Sequence, residues 1–185
     1  QWGHWKPVEQ QRCSGRRCLC FVRNGTTWTQ QAYLKPSTAG FNNFGNTVAI
    51  DGDTIAIGAE DEDSASTGIN GSEIGTGAPS RGAVYVFTRS GNTWSQQAYV
   101  KASNSAANSS FGVSLSLDSN TLAVGTDSAS TCIFTRSGGL WTQEALYREG
   151  QYGTWRFIWH QRGAPWRHSR RRCIWRRQCR YRHQW

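Results

Sequence analysis

Apolar and polar residues alternate along much of this chain with a period of two, interrupted at short intervals by turn residues. Val48-Ala49-Ile50 and Ile55-Ala56-Ile57 flank Asp51-Gly52, and Ser114 and Ser116 alternate with Leu115 and Leu117 ahead of Asp118-Ser119-Asn120. The alternation at 114–117 predicts a half-buried strand, and the short apolar runs on either side of Asp51-Gly52 predict an antiparallel hairpin. A second kind of hairpin is centred on Asn24-Gly25, Ser90-Gly91 and Ser137-Gly138, each set between aromatic or β-branched flanks. Tight hairpin turns need positive φ, which Gly and Asn adopt at little cost.

The hairpins repeat. Residues 21–35, from Phe21-Val22-Arg23 through Trp28-Thr29-Gln30-Gln31-Ala32 to Lys35, recur as residues 87–101, with Phe87, Arg89, Trp94, Gln97 and Lys101 in the matching places. A third copy begins at Phe134 and carries Arg136, Trp141 and Glu144. Each of the first two copies is followed by the other hairpin, at 44–58 and 111–125. The interval from Trp28 to Trp94 exceeds that from Trp94 to Trp141 because only the former contains the loop at 60–81. Two hairpins make a four-stranded sheet, and one such sheet cannot bury both its faces alone. The expected fold is therefore all-β, a partial propeller of about two four-stranded blades, with Trp28, Trp94 and Trp141 at equivalent places.

Phe44-Gly45 and Phe111-Gly112, each followed by a strand, a turn and a Gly58-Ala59 or Gly125 stop, together with Gly82-Ala83-Val84-Tyr85-Val86-Phe87, resemble FG-GAP repeat proteins. Their blades are similar to those of the integrin α-subunit propeller, and the resemblance covers residues 21–146. It implies a non-enzymatic, extracellular or cell-surface propeller, whose blades pack on neighbouring blades and whose loops at one end bind a protein or glycan. Integrin-type blades also carry a calcium loop after the Phe-Gly pair. Here that position holds only Asp51-Gly52-Asp53 or Asp118-Ser119-Asn120, too short to wrap a cation.

Composition agrees with the strand reading. Only 37% of the 185 residues are hydrophobic, 20 are Gly and none is Met, which excludes a helical bundle or coiled coil. No apolar run is long enough to span a membrane as a helix. The first residues have neither the basic nor the apolar region of a signal peptide. The missing initiator Met leads us to expect a piece of a longer chain.

The formal charge of +9 is unevenly placed: residues 1–20 hold 4 basic and 1 acidic residues, 21–146 hold 6 and 10, and 147–185 hold 11 and 1. The two basic ends also contain 7 of the 10 Trp, 5 of the 6 Cys and all 4 His, without hydrophobic periodicity. Back-translated with degenerate codons and started one nucleotide later, 147–185 permits a stop-free reading that includes Gly-Asp-Ser-Phe-Gly-Ile-Ser-Val-Ala-Leu-x-Gly-Asp-Thr-Leu-Ala-Val-Gly-Ala. That is the Phe-Gly hairpin, at the place where its next copy is due. The same shift applied to 1–20 permits a counterpart of residues 70–86. The expected organisation is thus an out-of-frame segment at 1–20, blades at 21–146, and an out-of-frame Arg/Trp-rich segment at 147–185.

Candidate chemistry is sparse. Cys13, Cys18, Cys20, Cys173 and Cys179, with His160, His168 and His183, lack the short paired spacings of a zinc site. The alternative function, a basic Trp/Arg-rich nucleic-acid-binding protein, rests on residues 167–182, whose Arg and Trp suit single strands only if that tail is genuine. Glu60, Asp61, Glu62 and Asp63 are the one carboxylate cluster of the blades and a weak Ca²⁺ candidate, because no turn glycine of a known calcium loop accompanies them. Gly91, Thr93 and Trp94 match the end of a sialidase Asp-box, but Arg89 stands where its Asp belongs. Residues 21–146 contain no His, no paired carboxylates on strand ends and no phosphate loop, so no enzyme activity and no resident cofactor are expected.

Overall fold

The computed structural model describes residues 10–13, 17–38, 42–75 and 77–148. The expected out-of-frame segments, the cysteine and histidine set apart from Cys18 and Cys20, and the basic run at 167–182 lie largely or wholly outside the described residues.

The described chain is all-β and contains three antiparallel sheets. The first comprises β1 (Gln10–Cys13), β2 (Cys18–Asn24) and β3 (Thr27–Leu34). The second has β4 (Phe44–Asp51), β5 (Thr54–Ala59), β6 (Ala83–Ser90) and β7 (Thr93–Val100) in sequential order. The third repeats that plan with β8 (Ser114–Asp118), β9 (Thr121–Gly125), β10 (Ser130–Ser137) and β11 (Leu140–Arg148). These are two complete four-stranded blades and one three-stranded sheet. Strand β2 starts at Cys18 and β11 ends at Arg148, so the sheets continue past both ends of the 21–146 span.

The register makes the repeat physical. Trp28, Trp94 and Trp141 stand opposite Arg23, Arg89 and Arg136, in the same place of each Trp hairpin. All three hairpins carry a bulge at the same point. Cys20 pairs Ala32 but Phe21 pairs Gln30, Val86 pairs Ala98 but Phe87 pairs Gln96, and Ile133 pairs Ala145 but Phe134 pairs Gln143. Gln31, Gln97 and Glu144 are therefore the extra residues, and a bulge re-aims the side chain that it leaves unpaired.

Each blade joins a Phe-Gly hairpin to the Trp hairpin that follows it, not to the one before. One sequence repeat thus straddles two sheets and ties them covalently. The sheets stack through two cores. One face of the second sheet, with Ile55, Ile57, Tyr85, Phe87 and Tyr99, packs with Cys18, Cys20 and Leu34 of the first. Its other face, with Ala56, Val84, Val86, Ala98 and Val100, packs with Leu122, Val124, Cys132, Phe134 and Trp141 of the third. In each joint aromatic side chains of one sheet, Tyr85, Phe87 and Tyr99 or Phe134 and Trp141, share a core with smaller ones of the sheet before it, Cys18, Cys20 and Leu34 or Ala56, Val84, Val86, Ala98 and Val100.

Candidate functional site

The Phe-Gly pair builds the joint. Phe44 and Phe111 are buried, and each meets the repeat phenylalanine of its own sheet edge-on, Phe87 at 6.3 Å and Phe134 at 6.0 Å between ring centroids. Gly45 and Gly112 follow at φ of 93° and 96°. A Cβ on Gly112 would lie 2.7 Å from the Ala83 carbonyl oxygen, so neither its conformation nor its surroundings admit another residue. That close approach lets Phe111 bridge Gly82, with Phe111 N donating to Arg81 O at 3.0 Å and Thr47 Oγ1 donating to Gly112 O. The family-motif residues Phe44, Gly45, Phe111 and Gly112 are thus parts of the scaffold.

A second device fastens the sheets farther along the joint. Trp94 Nε1 donates to Gln31 Oε1 at 2.9 Å and Arg89 Nη1 reaches the same oxygen at 3.3 Å. In the next joint Trp141 Nε1 and Arg136 Nη1 donate to Gln97 Oε1 at 2.9 and 3.1 Å. Each arginine also lies over its tryptophan, at 5.4 Å for Arg89 and 5.1 Å for Arg136. Arg89 Nε donates to Asp53 Oδ1 at 2.7 Å, and Arg136 Nε donates to Asn120 Oδ1 at 2.9 Å. At the position of the integrin-type calcium loop, the chain therefore presents side chains that are engaged by arginine.

All the long connections, at 35–43, 60–82, 101–113 and 126–129, leave the same end of the sheets, while the opposite end holds only two-residue turns. The antiparallel order dictates this, since alternate strand ends must share a side. Cross-loop hydrogen bonds knit the loops together. Asn108 N donates to Pro79 O at 2.8 Å, Ser110 N to Ser80 O at 2.9 Å, and Asp127 N to Ser109 O at 3.1 Å. Among the described residues seven non-glycine residues have positive φ, and all but Ser119 sit in these loops: Asn43, Asn70, Ser80, Asn108, Ser110 and Ala129. The exposed surface is rich in Ser and Asn, and Ile74 projects from it with 82% of its area exposed.

The carboxylate cluster lies at this end, but its members diverge. Glu62 is buried and pairs with the fully buried Lys101, whose Nζ also donates to Ser64 O at 3.0 Å. Ser64 Oγ shares a 2.7 Å hydrogen bond with Tyr99 Oη. Asp61 accepts from Asn43 Nδ2 and Ser80 Oγ, and Asp63 accepts from Ser80 N at 2.8 Å. Burial, with the negative charges of Asp61 and Asp127, raises the pKa of Glu60, against a hydrogen bond from Asn43. Burial lowers that of Lys101, against the pull of Glu62. Among the described residues no group of three or more His, Cys, Asp or Glu is placed to hold a metal ion. The sequence pattern did not reveal that this loop is anchored by a buried lysine. Lys35, its counterpart in the repeat, is exposed.

Of the cysteines considered for zinc, Cys18 is in a disulfide and Cys20 is a buried thiol that desolvation pushes up to about 11. Neither is a ready thiolate ligand. Among the described residues no helix is long and apolar enough to cross a membrane.

A family model described as FG-GAP repeat matches residues 28–87 and 94–139, which is more than half of the 185 residues. Its first match runs from β3 of one sheet to β6 of the next, the same straddling seen in the structure. No match was found among curated proteins.

Proposed function

The chain belongs to the FG-GAP repeat family, and we propose that it is a non-enzymatic binding module of an extracellular or cell-surface protein, which takes a protein or glycan ligand on the loop end of its sheets. One observation carries this reading: the long connections leave a single end and are hydrogen-bonded into one Ser/Asn-rich surface. Loops on a rigid scaffold are the usual seat of recognition. Backbone held at positive φ in non-glycine residues is a strained state that clusters at binding sites. Small polar side chains suit hydrogen bonding to a glycan or a polar protein surface, with Ile74 as an apolar anchor.

The test is binding of the full chain to a printed glycan array and to a panel of purified extracellular-matrix glycoproteins. The proposal expects at least one hit that is lost on combining Ile74→Asp with Asn108→Lys and kept on Thr26→Lys at the opposite end. Binding lost with Thr26→Lys and kept with the loop pair, or no hit on either panel, overturns it.

A further inference from the structure

We propose that Arg81 anchors the loop-end site and takes the carboxylate of an acidic sugar, a sialic or uronic acid, on a glycan ligand. The inference rests on the binding reading above and gives it a ligand chemistry. It starts from the arginines of the two complete blades. Arg89 is committed to Asp53 and Gln31, and Arg136 to Asn120, Gln97 and Thr54. Arg81 is engaged far less. Its Nη1 donates to Ala65 O at 2.9 Å, its Nε is buried without a hydrogen-bond partner, and among the described residues it enters no ion pair. A guanidinium carries five N–H donors in a fixed fork. The side chain is partly exposed, so its terminal nitrogens are the donors that a ligand can reach.

The cation is held in place from below. Arg81 O accepts from Phe111 N at 3.0 Å and from Ser109 Oγ at 2.9 Å. On either side of it, Ser80 O accepts from Ser110 N and Gly82 N donates to Glu62 O, both at 2.9 Å. Gly82 also bridges Phe111 of the Phe-Gly pair, so the joint that stacks two sheets fixes the backbone that carries the arginine. A group positioned in this way has less freedom to lose when a ligand binds.

The guanidinium selects a carboxylate, to which it makes charge-assisted, geometrically matched bonds. The surrounding charge selects how many. The connections at this end hold Glu60, Asp61, Glu62, Asp63, Glu73 and Asp127 against Lys35, Arg81 and Lys101, and Glu62 and Lys101 neutralise each other. Such a surface repels a polyanion, so the ligand brings one isolated negative charge. Its other groups are donors. Asp61 and Asp63 are partly exposed and use only part of their acceptor capacity on Asn43 and Ser80. Asn108 is exposed beside them on the next connection, where its N–H donates to Pro79 O. A sugar ring with one carboxylate and several hydroxyls meets both demands, its carboxylate on Arg81 and its hydroxyls on the aspartates and the amide. An acidic peptide offers the carboxylate without the hydroxyls.

The experiment is calorimetric titration of the full chain with sialyllactose and with a glucuronic-acid disaccharide, with lactose as the neutral reference and heparin as the polyanion. Circular dichroism checks that each variant is folded. At least one acidic sugar should bind, lactose about 10- to 100-fold more weakly, and heparin no better than lactose. Arg81→Gln should cut the affinity for the acidic sugar by the same factor and leave that for lactose unchanged, which a general loosening of the loops would not do. Arg81→Lys should fall between, because it keeps the charge and loses the fork. The methyl ester of sialyllactose should bind the unaltered chain as the free acid binds Arg81→Gln. Equal binding of acidic and neutral sugars, a preference for heparin, or a loss on Arg81→Gln that extends equally to lactose overturns the assignment and leaves the binding-module reading standing. A matrix glycoprotein that binds the loop end as well after its glycans are removed does the same. No binding in this titration or on the earlier panels overturns both.

Discussion

Gln97 Oε1 receives the indole hydrogen of Trp141 across the gap between two sheets at 2.9 Å, and Gln31 receives that of Trp94 at the same 2.9 Å. The glutamine lies on a bulge and the tryptophan on the following sheet, so each contact reports directly on how blades stack. Gln97→Met keeps length and volume but removes the acceptor from Trp141 and Arg136. The expected loss is about 1–3 kcal/mol, the cost of leaving the buried Trp141 indole donor unpaired, while Arg136 Nη1 keeps Thr54 Oγ1 as an acceptor. Urea denaturation followed by circular dichroism measures it.

The Phe-Gly joint gives a graded expectation. Gly112→Ala places a methyl 2.7 Å from the Ala83 carbonyl oxygen at a φ of 96°, whereas Gly138→Ala at a φ of 57° meets nothing within 4 Å. The second change should cost about 1–2 kcal/mol from backbone conformation alone. The first should cost clearly more, because the Gly82–Phe111 bridge must shift. Thermal melts of the two variants give the order.

Lys101 and Glu62 form a buried pair that pins the loop at 60–82 to the end of β7. Lys101→Met strands a buried carboxylate and should cost about 3–5 kcal/mol, whereas Lys101→Met with Glu62→Leu should recover most of that loss. A double-mutant cycle by chemical denaturation tests the coupling.

Much of this scaffold was legible in the sequence, and what was not has physical causes. The alternating pattern and the Gly turns announced the hairpins, and Trp28, Trp94 and Trp141 occupy equivalent places in successive hairpins as the repeat predicts. The pattern does not say which two hairpins share a sheet, because every hairpin presents the same period of two. The structure pairs β5 with β6 across the long loop at 60–82. The bulge was hidden for a similar reason: Gln31 and Gln97 look like ordinary outward residues of a strand until the register slips. Lys101 reads as a repeat residue like Lys35, and only the loop that folds over it makes it a core residue. The carboxylates at 60–63 are adjacent in sequence, but their hydrogen-bond partners come from three different segments, so proximity along the chain did not become a common ligand set.

Glu60 sets a pH dependence. Its pKa is raised in the folded chain, by burial first and by Asp61 and Asp127 next, so the native state holds this proton more tightly than the unfolded chain does. Its contribution to stability is therefore fully present below the unfolded carboxylate range and is lost as pH rises through the folded value. Glu60→Gln should raise the melting temperature at pH 7 and lose that advantage below about pH 4. With Glu62 held by Lys101, millimolar Ca²⁺ should move the melting temperature of the unaltered chain little. Calorimetry across pH, with and without Ca²⁺, checks both.

The central claim is that consecutive sheets are fastened by a repeated bulge-to-indole contact, and hydrogen exchange at the indole nitrogens tests it most directly. In nitrogen-15 spectra of the full chain, with Trp94 and Trp141 assigned by Trp→Phe replacement, both indole hydrogens should exchange slowly. Gln31→Met should release Trp94 alone and Gln97→Met should release Trp141 alone. Fast exchange at both indoles in the unaltered chain, or protection that neither glutamine replacement changes, would contradict the account.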